Sequence, residues 1–463
     1  MKTRIEKDSM GSRPVPAAAL YGIETVRALE NFPISGLRFH PEFTRALAFV
    51  KKACAETNRS LGRLDSRRAR AIIRACDEIL AGKWHDQFVT DALQAGAGVS
   101  AHMNMNEVIA NRALEILGRR RGDYEYLHSH DHVNMGQSTK DVVPTAMRLA
   151  ALKMVEEFCA ASKILEKAFA KKAHEFRRVI KSGRTHLQDA APITLGQEFG
   201  GWARQIEKGR GRVERAAINL HEIGIGGSAV GTGLNTTMAY RRHVIARLRK
   251  LSGFPVHAAK DFFEVMQSDS DLAAASGALR QYSISLSQIC NDLRLLASGP
   301  NTGFGEIHLP PRQPGSSIMP GKINPVMPEA AVQAAFQVIG NDLTIVLAAA
   351  AGQQELNVMR PVIAYNLLHS FEILKNTAIV LSKYCINGIK ADVERCRWYA
   401  EKSVGIAAAL NPYIGYSRAA ECVKEANRTG KPLRQVVLEK KYLKPAEIDR
   451  ILSPEHLTRP KNK

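Results

Sequence analysis

The segment at 329–351, EAAVQAAFQVIGNDLTIVLAAAA, constrains the fold more than any other stretch of this chain. It is alanine-rich and apolar nearly all round a helical projection. A helix without a polar face must be covered on every side, so the segment predicts a helix buried in a bundle. Its neighbours agree. Between Val143 and about Val179, Leu149, Leu152, Val155, Cys159, Phe169 and Phe176 recur, with Glu, Lys and Arg between them. Steps near three, four or seven give one long amphipathic helix. Residues 273–298 and 363–384 also read as helices, and strand-like alternation is scarce. The expectation is a mainly α protein.

Composition narrows the class. Of the 463 residues, 45% are hydrophobic and 24% charged, as in folded soluble proteins. No apolar run is expected to reach the roughly 18–20 residues that span a bilayer. The opening MKTRIEKDSMGSRPVP lacks the apolar core of a secretory signal. The cysteines at 54, 76, 159, 290, 385, 396 and 422 are odd in number and scattered. They read as reduced thiols in a cytoplasm. The formal charge of +20 suits an anionic partner, either a small acid or a nucleic acid. The basic runs SRRAR (66–70), GRRRGD (118–123) and the tail TRPKNK carry no zinc-finger, RNP or zipper pattern. A solvated basic surface, with no nucleic-acid partner, is the preferred reading.

Loops punctuate the helices. GIGGSAVGTGLNT (224–236) is glycine-rich, but it neither follows a strand as G-x-G-x-x-G nor leads into G-K-[ST]. Residues 298–329 form a long Gly- and Pro-containing loop, of a length usually reserved for function. Boundaries near 139 and 394 divide the chain into a mixed N-terminal domain (1–139), a central helical-bundle domain (140–394) and a small C-terminal helical domain (395–463). QSTKDVVPT (137–145) reads as a helix start, with Ser138 and Asp141 as a capping box and Pro144 in the first turn. Lys140 is out of place there, because a cation opposes the helix dipole.

The strongest chemical constellation is GSSIMPGKINP (315–325). Two hydroxyls, a fixed cation and an amide in one loop can hold a carboxylate and stabilise charge that develops on it. This loop resembles the signature of the fumarase/aspartase superfamily. RIEKDSMG, YGIETVRALENFPISG, HVNMGQST, GRTHLQDAAPITLGQEF, VGTGLN, NDLRLLASGP and GQQELNVM extend the resemblance along almost the whole chain. Aspartate ammonia-lyases match more closely than fumarases.

The resemblance implies a fumarase/aspartase-like fold of three domains. Its long central helix bundle forms the core of a homotetramer, and each active site draws on three chains. It implies β-elimination that releases fumarate from a small dicarboxylate. Ser316 is the base that removes the proton beside the second carboxylate. A serine is a poor base unless its anion is stabilised, so the loop must supply N–H donors. Ser138, Thr139 and Ser317 bind the second carboxylate; Thr185, Lys322 and Asn324 bind the other. Ser100 and Lys140 join the substrate binders. His186 lies near the leaving group, oriented by Glu329, and such a pair favours the imidazolium. No cofactor or metal serves the chemistry, although some aspartases respond to divalent ions. HSHDH (128–132) offers three alternate histidines, but His132 belongs to the family's DHVN element and the other two read as loop residues.

Four positions depart from the aspartase pattern. Val99 stands in place of a substrate-contacting threonine, His102 of an asparagine, Lys140 of an asparagine near the leaving ammonium, and Arg360 of a glutamate. Two unit charges about 4 Å apart interact by about 4 kcal/mol at an effective dielectric near 20, so a charged Lys140 opposes an ammonium. Lys140 escapes this conflict if it is deprotonated, if it pairs with a carboxylate such as Asp141, or if the leaving group is neutral or anionic. The expected activity is ammonia elimination from L-aspartate. The alternatives are elimination from another succinate-type acid (malate, or an N-substituted aspartate) and an inactive homologue.

Overall fold

The computed structural model describes residues 2–459, without the side chains of 454 and 455. The end of the basic tail, 460–463, lies outside the described residues. The five longest helices among the described residues are Thr139–Glu175, Leu195–Ala216, Ser270–Leu296, Val326–Ala350 and Arg360–Tyr384. All strands among the described residues belong to two-stranded sheets. The seven cysteines are free thiols, and all but Cys159 are buried.

The chain forms two compact units whose segments interleave. The first comprises Met1–Cys159, Gly211–Ser283 and Phe336–Lys375. Its aromatic centre is Phe158, whose ring meets Tyr282 edge-on at 4.9 Å and Phe371 at 6.1 Å. The helix Pro41–Ser60 begins with proline at its first position and His40 accepting the Glu42 N–H. Phe43, Leu47, Val50 and Cys54 bury its apolar face. Lys51 lies four residues after Leu47 and three before Cys54, so it shares that face and is fully buried.

The second unit comprises Ala160–Arg210, Ile284–Ala335 and Asn376–Lys463. Here a hairpin, Ile180–Thr185 paired antiparallel with Gln188–Thr194, is held by a buried ionic cluster. Lys181 Nζ lies 3.0 Å from Glu198 and 3.1 Å from Glu306, and Arg184 Nη1 lies 3.0 Å from Glu306. Glu306 has no solvent exposure, so both cations are needed to offset its desolvation. The short helices after Val404 enclose their own core around Leu410, Cys422, Val437 and Ile448.

Two expectations about the apolar segment need correction. Val326–Ala350 is long and apolar enough to cross a bilayer by length and composition. It is also not buried all round. Phe336, Leu343 and Leu347 are 60%, 61% and 64% exposed in the single chain. The opposite face is anchored by polar pairs. Asn341 Nδ2 donates to Ser370 Oγ at 3.0 Å, and Asp342 accepts from Ser276 Oγ at 2.6 Å and pairs with Arg280 at 3.1 Å. The sequence pattern reports total coverage, whereas one chain covers a single side.

Candidate active site

Ser100, Ser138, Thr139 and Lys140 lie in the first unit; Thr185, His186, Ser316, Ser317, Lys322, Asn324 and Glu329 lie in the second.

The Thr139–Glu175 helix starts as a reciprocal cap. Ser138 N donates to Asp141 Oδ1 at 2.9 Å, and Lys140 N donates to Ser138 Oγ at 3.2 Å. Asp141 Oδ2 accepts from Gly226 N and Ser228 N, both at 3.0 Å. One buried carboxylate thus fixes the helix start to the glycine-rich loop. Burial pushes its pKa up to about 6 against the pull of those three N–H donors. Both its oxygens are engaged with backbone, so Asp141 is not the partner that turns Lys140 away.

Behind this turn sits a buried polar chain. His102 Nδ1 is 2.7 Å from Thr139 Oγ1, and His102 Nε2 is 2.6 Å from Lys51 Nζ. Lys51 Nζ also donates to Asn134 Oδ1 at 2.9 Å and Gln137 Oε1 at 2.8 Å. Burial pulls Lys51 down to about 7 and His102 well below the usual histidine range, the latter helped by the charges of Lys51 and His130. His102 is therefore a neutral imidazole rather than an added charge. Sequence reasoning missed Lys51. The signal was its place on the apolar face of its helix, where a solvated lysine would not sit.

Arg360 likewise brings no free charge to the site. It is fully buried, pairs with Asp269 at 3.1 Å, and donates to the carbonyls of Met266 (2.7 Å) and Lys140 (3.2 Å). The expected charge reversal is neutralised by its own carboxylate, which leaves half-buried Lys140 as the added cation. Val99 and Ser100 open the helix Val99–Ile116 and line a cleft of about 650 Å³ with Asp8, Glu24, Arg27 and His130. Of the two histidines expected on a loop, His128 precedes a helical turn in extended backbone, whereas His130 lies inside it. Ser129–Val133 is one π-helical turn, in which His128 accepts the His130 N–H and His130 Nε2 meets Glu24 at 2.5 Å. Among the described residues, no three His, Cys, Asp or Glu side chains converge as a metal site.

In the second unit, His186 and Leu187 form the two-residue turn between Thr185 and Gln188. Both are left-handed, with φ of 56° and 58°. That is the backbone of a type I′ hairpin, normally made by Asn-Gly. Neither residue favours it, so the turn stores strain of the kind that clusters at functional sites. It presents His186 to solvent. A β-carbon on Gly183 would meet the Ala191 carbonyl at 2.4 Å, which makes glycine obligatory at the bulge below.

The 315–324 loop closes on itself. Gly315 N donates to the Lys322 carbonyl at 2.8 Å, and Asn324 Nδ2 donates to the Gly315 carbonyl at 2.7 Å. Asn324 therefore holds the loop's base with one of its N–H groups. Within the loop, Ser316 Oγ accepts N–H bonds from Ile318 at 3.2 Å and Met319 at 3.0 Å. Two donors on one hydroxyl oxygen favour its anion. Ser317 and Lys322 are exposed. Glu329 lies in the first turn of Val326–Ala350, and among the described residues no ion pair joins it to His186 within one chain.

The sequence model of the lyase family matches residues 11–340, and that of the fumarase C C-terminus matches 406–459. This chain belongs to the fumarase/aspartase superfamily of lyases. It is 48% identical to the aspartate ammonia-lyase of Bacillus subtilis over 457 residues, covering 99% of this chain and 96% of that protein. The aspartate ammonia-lyase of Pseudomonas aeruginosa is 48% identical over 462 residues, with 99% and 98% covered. Among solved structures, the fumarate lyase:delta crystallin from Brucella melitensis bound to cobalt superposes with a TM-score of 0.97 at 47% identity, covering 99% of this chain and all of that one. The class II fumarase from Schistosoma mansoni superposes at 0.95 with 34% identity, covering both chains fully. The mainly helical superfamily fold expected from the sequence is the fold observed.

Proposed function

We propose that this chain eliminates ammonia from L-aspartate to give fumarate. Ser316 takes the proton from the carbon beside the second carboxylate, and the resulting enediolate expels ammonia as the C–N bond breaks. Ser138, Thr139 and Ser317 bind the second carboxylate, Thr185, Lys322 and Asn324 the other, and Ser100 is a further substrate binder. His186, oriented by Glu329, faces the leaving group. The chemistry uses no metal or organic cofactor. The observation that carries this reading is the pair of backbone N–H donors on Ser316 Oγ, the support a serine base requires. The near-even match to aspartate ammonia-lyases along the whole chain supports the substrate.

The catalytic unit in this proposal is a cytoplasmic homotetramer with sites drawn from three chains, each chain divided at 139 and 394. The exposed apolar face of Val326–Ala350 supports the assembly, and the free thiols support the compartment. Lys140 favours a second reading, elimination from malate or an N-substituted aspartate, because a cation beside the leaving group opposes an ammonium. Ultraviolet detection of fumarate formed from each acid, with Lys140→Asn in parallel, separates the two. Aspartate turnover that vanishes in Ser316→Ala supports the first reading. Turnover of malate alone favours the second, and no turnover of any C4 acid by an intact assembly marks an inactive homologue.

A further inference from the structure

The Lys51–His102–Thr139 chain has a direction, and that direction can reverse. A protonated lysine has three N–H donors and no acceptor. Lys51 finds three acceptors: His102 Nε2, Asn134 Oδ1 and Gln137 Oε1. With Nε2 accepting, the neutral imidazole carries its proton on Nδ1 and donates to Thr139 Oγ1. The Thr139 O–H is then directed away from His102, and the hydroxyl meets a ligand as a donor.

Loss of one proton inverts every link. The Nζ proton moves to Nε2, the Nδ1 proton moves to Oγ1, and the outward Thr139 proton leaves for the site or solvent. Five protons on these three side chains become four, and the charge falls from +1 to zero. Lys51 now accepts from Nε2–H, and Nδ1 accepts from Thr139 O–H. Thr139 presents only lone pairs. We propose that Lys51 and His102 are positioning residues that set whether Thr139 offers the substrate a hydrogen-bond donor, suited to a carboxylate, or an acceptor, suited to an ammonium. The inference rests on the reading of Thr139 as a substrate binder.

The surroundings place the reversal near neutral pH. Burial brings Lys51 to about 7. The groups that face it are the thiols of Cys54 on its own helix and Cys76 on Ser66–Leu80, both held protonated by burial, and Asp141 on Thr139–Glu175. Tyr240, on Met238–Ser252, faces Cys54 and is itself kept protonated by burial. His130 faces His102 from the π-helical turn. Among these, Lys51 is the cation hydrogen-bonded to the imidazole that in turn bonds Thr139.

The test uses the full-length enzyme and succinate, a dianion that cannot react. Calorimetric affinity for succinate should fall roughly ten- to hundredfold between pH 6 and pH 9, the worth of a hydrogen bond to a charged group. His102→Leu should remove the part of that fall that passes through Thr139 and leave a shallower profile. Magic-angle-spinning nitrogen-15 spectra, assigned with His102→Gln, should show the His102 proton on Nδ1 at pH 6 and on Nε2 at pH 9. This readout holds even where His102→Leu fails to fold. A proton that stays on Nδ1 at both pH values overturns the relay. So does an unaltered succinate profile in His102→Leu when Thr139→Val weakens binding. If Thr139→Val leaves succinate affinity unchanged at every pH, the placement of Thr139 at the substrate is what fails.

Discussion

Asp141 shows how much one side chain can hold. Its two oxygens accept N–H bonds from Ser138, Gly226 and Ser228. Asn at this position would turn an NH₂ toward a backbone N–H whichever way it flips. Asp141→Asn should therefore lower stability by about 1–3 kcal/mol in urea unfolding, although the change is nearly isosteric. Lys51 gives a pH prediction of defined sign. Its folded pKa lies below the ordinary 10.5, at about 7, so between these values the unfolded chain holds more protons. Stability contributed by this group is therefore gained as pH rises from 7 to 9, by about 1.4 kcal/mol per pH unit at most. The raised carboxyls Glu107, at about 7, and Asp141, at about 6, act in the opposite sense, and that loss is nearly complete by about pH 8. The buried thiols, raised above their ordinary 9.0, oppose the Lys51 gain as pH approaches 9, so the Lys51 contribution is read by difference: across pH 7.5–8.5 the urea midpoint should move upward relative to that of Lys51→Met. Ser316 and its neighbours were legible in the sequence because one short loop carries them. Lys51 was not, because its partners Asn134, Gln137 and His102 are scattered along the chain.

At the level of elements, periodicity located the long helices because burial of one face repeats every turn. The reciprocal Ser138–Asp141 cap was also readable, since both partners lie within four residues. The Thr185–Gln188 turn was not. THLQ has no Asn-Gly or Asp-Gly signal, and the left-handed conformation goes with the Thr185–Gln188 strand pairing that closes the hairpin. Leu187→Gly should relieve that strain and raise the thermal midpoint, by up to about 1 kcal/mol after glycine's own entropy cost. Gly183→Ala should do the reverse, because its β-carbon would collide with the Ala191 carbonyl. A loss of about 2 kcal/mol or more is expected in thermal unfolding.

For the whole molecule, the unresolved part of the sequence reading was coverage. An apolar helix announces that something covers it, but not whether the cover comes from the same chain. Phe336, Leu343 and Leu347 lie on the exposed side of Val326–Ala350, and Ile284 on Ser270–Leu296 is also exposed. Leu343→Glu with Leu347→Glu should reduce the mass measured by light scattering toward that of one chain, 50.9 kDa. Helical circular dichroism should be retained and activity lost, as expected if neighbouring chains complete the site. The net charge of +20 suits capture of dianionic substrates and should make capture weaken as salt rises.

The three acceptors around Lys51 also restrict how this sequence can change over time. A replacement of His102 that cannot accept at the Nε2 position strands one ammonium proton in a buried site. Loss of Lys51 first leaves the imidazole, Asn134 and Gln137 without their shared donor. Single steps that stay folded must pass through side chains with an acceptor of similar reach, such as Asn or Gln. Substitutions at Lys51 and His102 should therefore be non-additive in a double-mutant cycle of unfolding free energies.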